Sequence, residues 1–135
     1  VVEPIETAGG DMAGLNEFVD AYVTLWNERD EQKRRAMIEK LWAPEGKYVN
    51  EPNECVGYDA IAAQITFAHD YYHDKGFQFR SQHNAVGHHD TMKFNWVMVS
   101  GESGELESIG FDFVVRDEQG RILADYQYIE KPPSF

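Results

Sequence analysis

The apolar residues of this chain change period once, and that change limits what the chain can fold into. From Asp11 to about Glu28 they fall at Met12, Leu15, Phe18, Val19, Tyr22, Leu25 and Trp26. Steps of three and four put one stripe along a helix. Asp30 is a candidate N-cap for a second helix, DEQKRRAMIEKLW, with Ala36, Met37, Leu41 and Trp42 turned inward; Pro44 and Gly46 stop it. The stretch YVNEP (48–52) reads as a first strand. Gly57 and Asp59 introduce a third helix to about Asp74, with Ile61, Ile65, Ala68 and Tyr72 on one face and Gly76 beyond its end. From Phe77 onward the pattern is period two, with strands expected near 77–88, 92–100, 106–116 and 121–130. The turns ESGE (102–105) and DEQG (117–120) join the last three.

Three helices gathered ahead of a curved, mostly antiparallel meander predict an α+β fold shaped as a cone. A sheet wrapped around helices leaves a cavity at its open end, the usual place for a small ligand. The 135 residues suffice for one domain. It is expected to span 11–131, after a flexible leader (1–10) carrying Pro4, Gly9 and Gly10 and before a tail (132–135) whose prolines end the last strand.

Charge removes several function classes. Twenty-four acidic against twelve basic residues give a net charge of −12, which opposes nucleic acid and anionic lipid as partners. No apolar run reaches the roughly 20 residues of a membrane span, and the first residues lack the basic and apolar blocks of a signal peptide. The single cysteine, Cys55, has no internal disulfide partner and reads as a packed loop thiol. A cytoplasmic location is expected. His69 and His73 have the i,i+4 spacing of a metal pair, but AHDYYHDK lacks the accompanying glutamate and reads as a solvated face. His88 and His89 point to opposite faces of a strand end. With no glycine-rich phosphate loop and no ligand cluster, neither a cofactor nor a metal is expected.

The late strands pose a question of parity. In SIGFDFVV, Ile109, Phe111, Phe113 and Val115 share one face, and Ser108, Gly110, Asp112 and Val114 the other. Were Asp112 to face the helices, the aromatic face would point outward and need covering, as by a homodimer stacking two sheets. Were Asp112 solvated, which the alternation alone favours, the sheet would be that of a monomer. In the strand before it, Phe94, Trp96 and Met98 share a face suited to core or pocket wall. In the last strand Leu123, Asp125, Gln127 and Ile129 alternate with Ala124, Tyr126 and Tyr128; either set suits the interior, and Asp125 reads as solvated.

Five segments in order, AYVTLWNERD (21–30), LWAPEGKYVNEP (41–52), GYDAIAAQI (57–65), HHDTMKFNW (88–96) and GFDFVVRDEQGRI (110–122), resemble the nuclear transport factor 2-like superfamily. Within it they resemble the branch of SnoaL-like polyketide cyclases and ketosteroid isomerases. That resemblance implies a cystatin-like cone and a pocket, while functions across the superfamily vary. Ketosteroid isomerases use a tyrosine on the first helix, a carboxylate base at the end of the first strand and a protonated aspartic acid on a late strand. Tyr22, five residues before Asn27, Glu51, just before Pro52, and Asp112, eight before Gly120, match those places. The resemblance thus implies Glu51 as base, with Tyr22 and a neutral Asp112 as donors to a developing oxyanion. A carboxylic acid stays neutral in this way where an apolar site raises its pKa, as it does in that enzyme. The commoner SnoaL-like pattern Tyr-x-Asp-Pro instead puts Asn50 at the acidic place, with Tyr48 and Asn50 inward and Glu51 outward. Tyr-x-Asn-x-Pro also resembles limonene epoxide hydrolases, but their Arg-x-Asp has no counterpart in FNWVM.

Three functions follow as expectations. One is a proton-transfer enzyme (isomerase, cyclase or dehydratase) acting on a small apolar carbonyl compound through Tyr22, Asp112 and Asn50 or Glu51. Its pocket would be lined by Tyr48, Asn50, Phe94, Trp96 and Met98. The alternatives are a non-catalytic module for a hydrophobic ligand and a dimeric interaction domain.

Overall fold

The computed structural model describes residues 12–135, so the expected leader (1–10), and with it the side chain of Met12, lie outside the described residues. Three helices, α1 (Met12–Asn27), α2 (Glu31–Leu41) and α3 (Tyr58–Asp74), pack on a sheet of seven strands. The strands are β1 (Trp42–Val49), β2 (Glu54–Val56), β3 (Phe77–Ser81), β4 (Val86–His88), β5 (Thr91–Ser100), β6 (Leu106–Arg116) and β7 (Ile122–Lys131). Their order is β2-β1-β7-β6-β5-β3, with β4 also on β5. All pairs are antiparallel except β1 with β7. This is the α+β cone that the change of period predicts.

The α1 stripe behaves as its spacing requires: Leu15, Val19, Tyr22, Leu25 and Trp26 are buried. Asp30 caps α2 through its side chain, which accepts from the amides of Gln32 and Lys33. The buried face of α2 differs from expectation. Ala36 is exposed, and Arg34, Ile38 and Leu41 are buried. The cause is tertiary: the Arg34 guanidinium donates to the carbonyls of Glu28 and Arg29, left open at the end of α1, and to Thr66 Oγ1. Trp42 belongs to β1 and not to the helix, with its ring fully in the core. Gly46 lets β1 close against β7, because a Cβ there would lie 2.5 Å from the Ile122 carbonyl oxygen.

The single strand expected over 77–88 is two. β3 and β4 both pair with β5, and between them the Asn84 side chain replaces the backbone ladder. Its Oδ1 accepts from the Asn95 amide and its Nδ2 donates to Asn95 Oδ1. Cys55 lies in β2 and not in a loop, and burial raises its thiol pKa, against a nucleophilic role. Beyond β7 the tail folds back over the helices. The Phe135 ring stacks on Phe77 at 5.5 Å, and Ser134 Oγ donates to the Glu107 carboxylate at 2.7 Å.

Candidate functional site

Parity decides the interior. In β6, Ser108, Gly110, Asp112 and Val114 face the helices, and Phe111 and Phe113 face out. The solvated Asp112 that alternation alone favours is therefore corrected. β5 and β7 bring their own inward sets alongside: Phe94 and Gln127 flank Asp112, while Val114 and Tyr48 flank Asp125. Asp112 and Asp125 are thus diagonal neighbours on one face of adjacent strands. Both are fully buried, which also corrects the expectation of a solvated Asp125.

The Tyr22 hydroxyl comes down from α1 between the two acids, 3.0 Å from Asp112 Oδ2 and 2.6 Å from Asp125 Oδ2. Trp96 Nε1 donates to Asp112 Oδ1 at 2.8 Å. Gly110 makes that bond possible, since a Cβ at this position would lie 2.0 Å from the indole ring. Phe94 packs edge-on against Tyr22, with ring centroids 5.2 Å apart.

Counting hydrogens fixes the protonation of this cluster. Tyr22 has one hydrogen to give, yet its oxygen touches two carboxyl oxygens. One of those contacts needs a hydrogen from an acid. Asp125 is the acid that keeps it, because its Oδ1 is buried with no partner among the described residues, and an ionised oxygen there would be uncompensated. Burial raises its pKa well above the usual carboxylate range, and the neighbouring charge of Asp112 raises it further. Burial also raises Asp112, against the opposing hydrogen bonds from Asp125, Trp96 and Tyr22. The pair therefore holds one proton and one negative charge. Tyr22 and Tyr48 are held neutral, with pKa values pushed well up first by burial and then by the charges of Asp112 and Asp125.

A cavity of about 150 Å³ opens beside this cluster. Its walls include Trp26, Tyr48, Phe79, Trp96, Met98 and Ile129, with Tyr22 at the base. Phe67 and Pro133 stand among the lining residues as well, so the folded-back tail contributes to the enclosure. Neither aspartate lines it; both stand behind Tyr22.

The sequence-derived site residues divide accordingly. Tyr22, Tyr48, Asn50, Trp96 and Met98 line the cavity. Asp112 is in contact with Tyr22 but behind the wall, and Phe94 is core beneath Tyr22 and not pocket wall. Glu51 is exposed and not among the lining residues. Here the register resolves: Tyr48 is inward, and Asn50 closes a turn by bonding its amide to the Asn53 carbonyl at 3.0 Å, which carries Glu51 to the outside. Asp125 is the functional residue that sequence reasoning missed. Its signal was present, since it shares parity with Gln127 and Ile129, two lining residues. His69 and His73 stack at 4.3 Å. They bond instead to Asp70, to the His69 carbonyl and to Asn27 Oδ1.

No protein-family model matches the chain, and neither does any curated protein sequence. Solved structures do. A candidate isomerase of the SnoaL-like family from Agrobacterium tumefaciens superposes with a TM-score of 0.79 at 26% identity, covering 87% of this chain and 98% of that one. A candidate polyketide cyclase from Sinorhizobium meliloti gives 0.66 at 14% identity, over 87% and 98% of the two chains. A nuclear transport factor 2-like protein of unknown function from Exiguobacterium sp. 255-15 gives 0.62 at 20% identity, over 84% and 98%. The last two likenesses speak for the fold alone.

Proposed function

We propose that this chain, which has the nuclear transport factor 2-like fold and is 26% identical to a candidate isomerase of the SnoaL-like family, binds a small, largely apolar carbonyl compound in its cavity and moves a proton on it. The reaction class is that of an isomerase, cyclase or dehydratase working by acid–base chemistry, as in ketosteroid isomerases. The observation that carries this reading is the Tyr22 hydroxyl, which lines the cavity and rests on a buried acid pair holding one proton. Tyr22 is the catalytic residue, because its hydroxyl touches both acids and lines the cavity, whereas Trp96 reaches Asp112 alone. Asp112 and Asp125 act through it. An enolising ketone gives its α-proton to the Tyr22 oxygen as the Tyr22 hydrogen passes to Asp112, and the reverse transfer, from Asp112 through Tyr22, returns a proton to the substrate, so that the pair again holds one proton, on Asp125. Glu51 has no part in this scheme.

Solvent-deuterium exchange at the α-carbon of enolisable ketones such as acetophenone, followed by NMR, tests the proposal. The wild-type chain is expected to accelerate exchange, and Tyr22→Phe to lose about 100- to 1,000-fold of that acceleration. Glu51→Gln should leave it unchanged. Full activity in Tyr22→Phe would sink the relay. One observation favours a second reading, a binding module without chemistry: among the described residues no carboxylate lines the cavity. Tight ketone binding with no exchange in the wild-type chain would decide for it.

A further inference from the structure

Of the three tyrosines that line the cavity, Tyr22, Tyr48 and the half-buried Tyr72, the two fully buried ones are not equivalent. The Tyr22 hydroxyl is committed to the acid pair, its oxygen 2.6 and 3.0 Å from the two carboxyl oxygens. Tyr48, 1% exposed and lining the same cavity, has no acceptor for its hydrogen among the described residues. Its hydrogen-bond partner among the described residues is Asn50, whose Nδ2 donates to Tyr48 Oη at 3.4 Å. The Asn50 amide cannot turn over freely, because Oδ1 accepts from the Asn53 amide at 3.0 Å. The side-chain NH2 therefore faces the tyrosine oxygen, and the tyrosine hydrogen must point elsewhere. Trp26 Nε1, on another lining residue, is also buried without an acceptor. Ser108 does not compete for a ligand, since its hydroxyl donates to the Lys131 carbonyl at 2.7 Å.

Resting on the pocket reading above, we propose that Tyr48 is the residue that takes the ligand's oxygen, with Asn50 as its positioning residue, and that the ligand presents there a neutral acceptor, a carbonyl and not a carboxylate. A buried donor without a partner costs free energy that an acceptor oxygen restores. An anionic group would lie beside the negative charge already held by Asp112 and Asp125, a like-charge pairing in a desolvated site. Burial keeps the Tyr48 hydroxyl protonated, so it remains a donor at every ordinary pH. The apolar walls, Phe79, Trp96, Met98 and Ile129, then hold the hydrocarbon body. A cavity of about 150 Å³ suits a single ring, since an apolar cavity of roughly that volume admits benzene. The division of labour is specific: Tyr48 holds the oxygen while Tyr22 handles the proton.

The test compares acetophenone with α-methylstyrene, which differ only in C=O against C=CH2, and with benzoate, by calorimetry or NMR titration. The wild-type chain should prefer acetophenone over α-methylstyrene by about 3- to 10-fold, one neutral hydrogen bond, and benzoate should bind more weakly than either. Tyr48→Phe should bring the preference to about one-fold, while Tyr22→Phe leaves it in place. Should Tyr48→Phe fail to fold, the infrared stretch of the isotope-labelled acetophenone carbonyl answers in the wild-type chain. A hydrogen-bonded carbonyl shifts to lower frequency, and an unshifted band overturns the assignment. A preference that survives in Tyr48→Phe overturns the role of Tyr48 alone. Binding of none of the three compounds to the wild-type chain overturns the pocket reading and the assignment with it.

Discussion

Asp125 occupies a position where a charge has no solvent and one carboxyl oxygen has no partner among the described residues. Folding therefore raises its pKa, and a group raised in the folded state favours folding most below its unfolded pKa of about 4. That contribution is lost as pH rises through the folded value, which burial and the Asp112 charge place well above the ordinary range. Asparagine mimics the protonated acid, since its Nδ2 can donate to the Tyr22 oxygen as the acid's hydrogen does. Asp125→Asn is accordingly expected to be more stable than the wild-type chain at about pH 8 by roughly 1–3 kcal/mol, an advantage that narrows as pH falls toward 4. Thermal melts of the two proteins across that range measure it, and a deficit for Asp125→Asn at every pH would show an ionised Asp125. The same residue marks the limit of the sequence. Tyr22, Tyr48 and Asn50 were legible, because helix stripe and strand end narrow the choice, whereas Asp112 came from the family resemblance, since strand parity alone favours a solvated side chain there. Asp125 was not legible, because both faces of IleLeuAlaAspTyrGlnTyrIle (122–129) carry apolar residues. Only the pairing of β7 between β1 and β6 turns that aspartate inward.

The ends of α1 and α3 meet β3 through one asparagine. Asn27 Nδ2 donates to the Phe79 carbonyl at 2.7 Å, and its Oδ1 accepts from the Phe79 amide and lies 3.1 Å from His73 Nε2. Because the Phe79 bonds fix that amide, His73 must donate from Nε2. Its Nδ1 faces the His69 carbonyl at 3.0 Å, a contact that by itself favours the charged ring. Burial outweighs it, joined by the neighbouring His69, Arg29 and Arg34, and the His73 pKa is lowered. The sign here is opposite to that of Asp125: stability is full above the unfolded value near 6.5 and is lost as pH falls through the lowered folded one. His73→Gln, which can still donate to Asn27, should lose less stability than the wild-type chain between about pH 7 and 5, the difference reaching about 1 kcal/mol. Parallel acid-side slopes for the two proteins would refute it. At this scale periodicity found the helices and the meander. It could not see Arg34 turning inward to the carbonyls at the end of α1, nor Asn84 splitting one strand into two. The first depends on the geometry of the turn after α1 and on Thr66 from α3, the second on a side chain replacing a ladder bond.

With Asp112 inward, the outer face of the sheet has to carry the aromatic set. Phe113 is 37% exposed and Tyr128 61%, with the Phe111 ring 6.1 Å from Tyr128. Lys93 lies over Phe111 and Lys47 over Tyr126, so two cations frame these rings on a chain whose net charge is −12. Adjacent strands β6 and β7 supply all four rings, which makes the patch continuous, and such patches are commonly covered in solution. A twofold partner offers the same surface to itself: apolar rings meet rings, and the acidic remainder of each surface stays apart at the rim. A homodimer through this face is therefore expected, and because the cavity opens on the opposite side of the sheet, dimerisation leaves the pocket chemistry intact. Sedimentation velocity at about 10 μM, a concentration at which dimers of micromolar or tighter Kd are populated, should give twice the monomer mass. The pair Phe113→Asp and Tyr128→Glu places four charges in a twofold interface and should give a monomer. Ketone binding and exchange by that monomer should match the wild-type chain, since neither residue touches Tyr22, Tyr48 or the acid pair. A wild-type chain that sediments as a monomer sinks the outer-face dimer. A double variant that stays dimeric moves the interface elsewhere on the molecule.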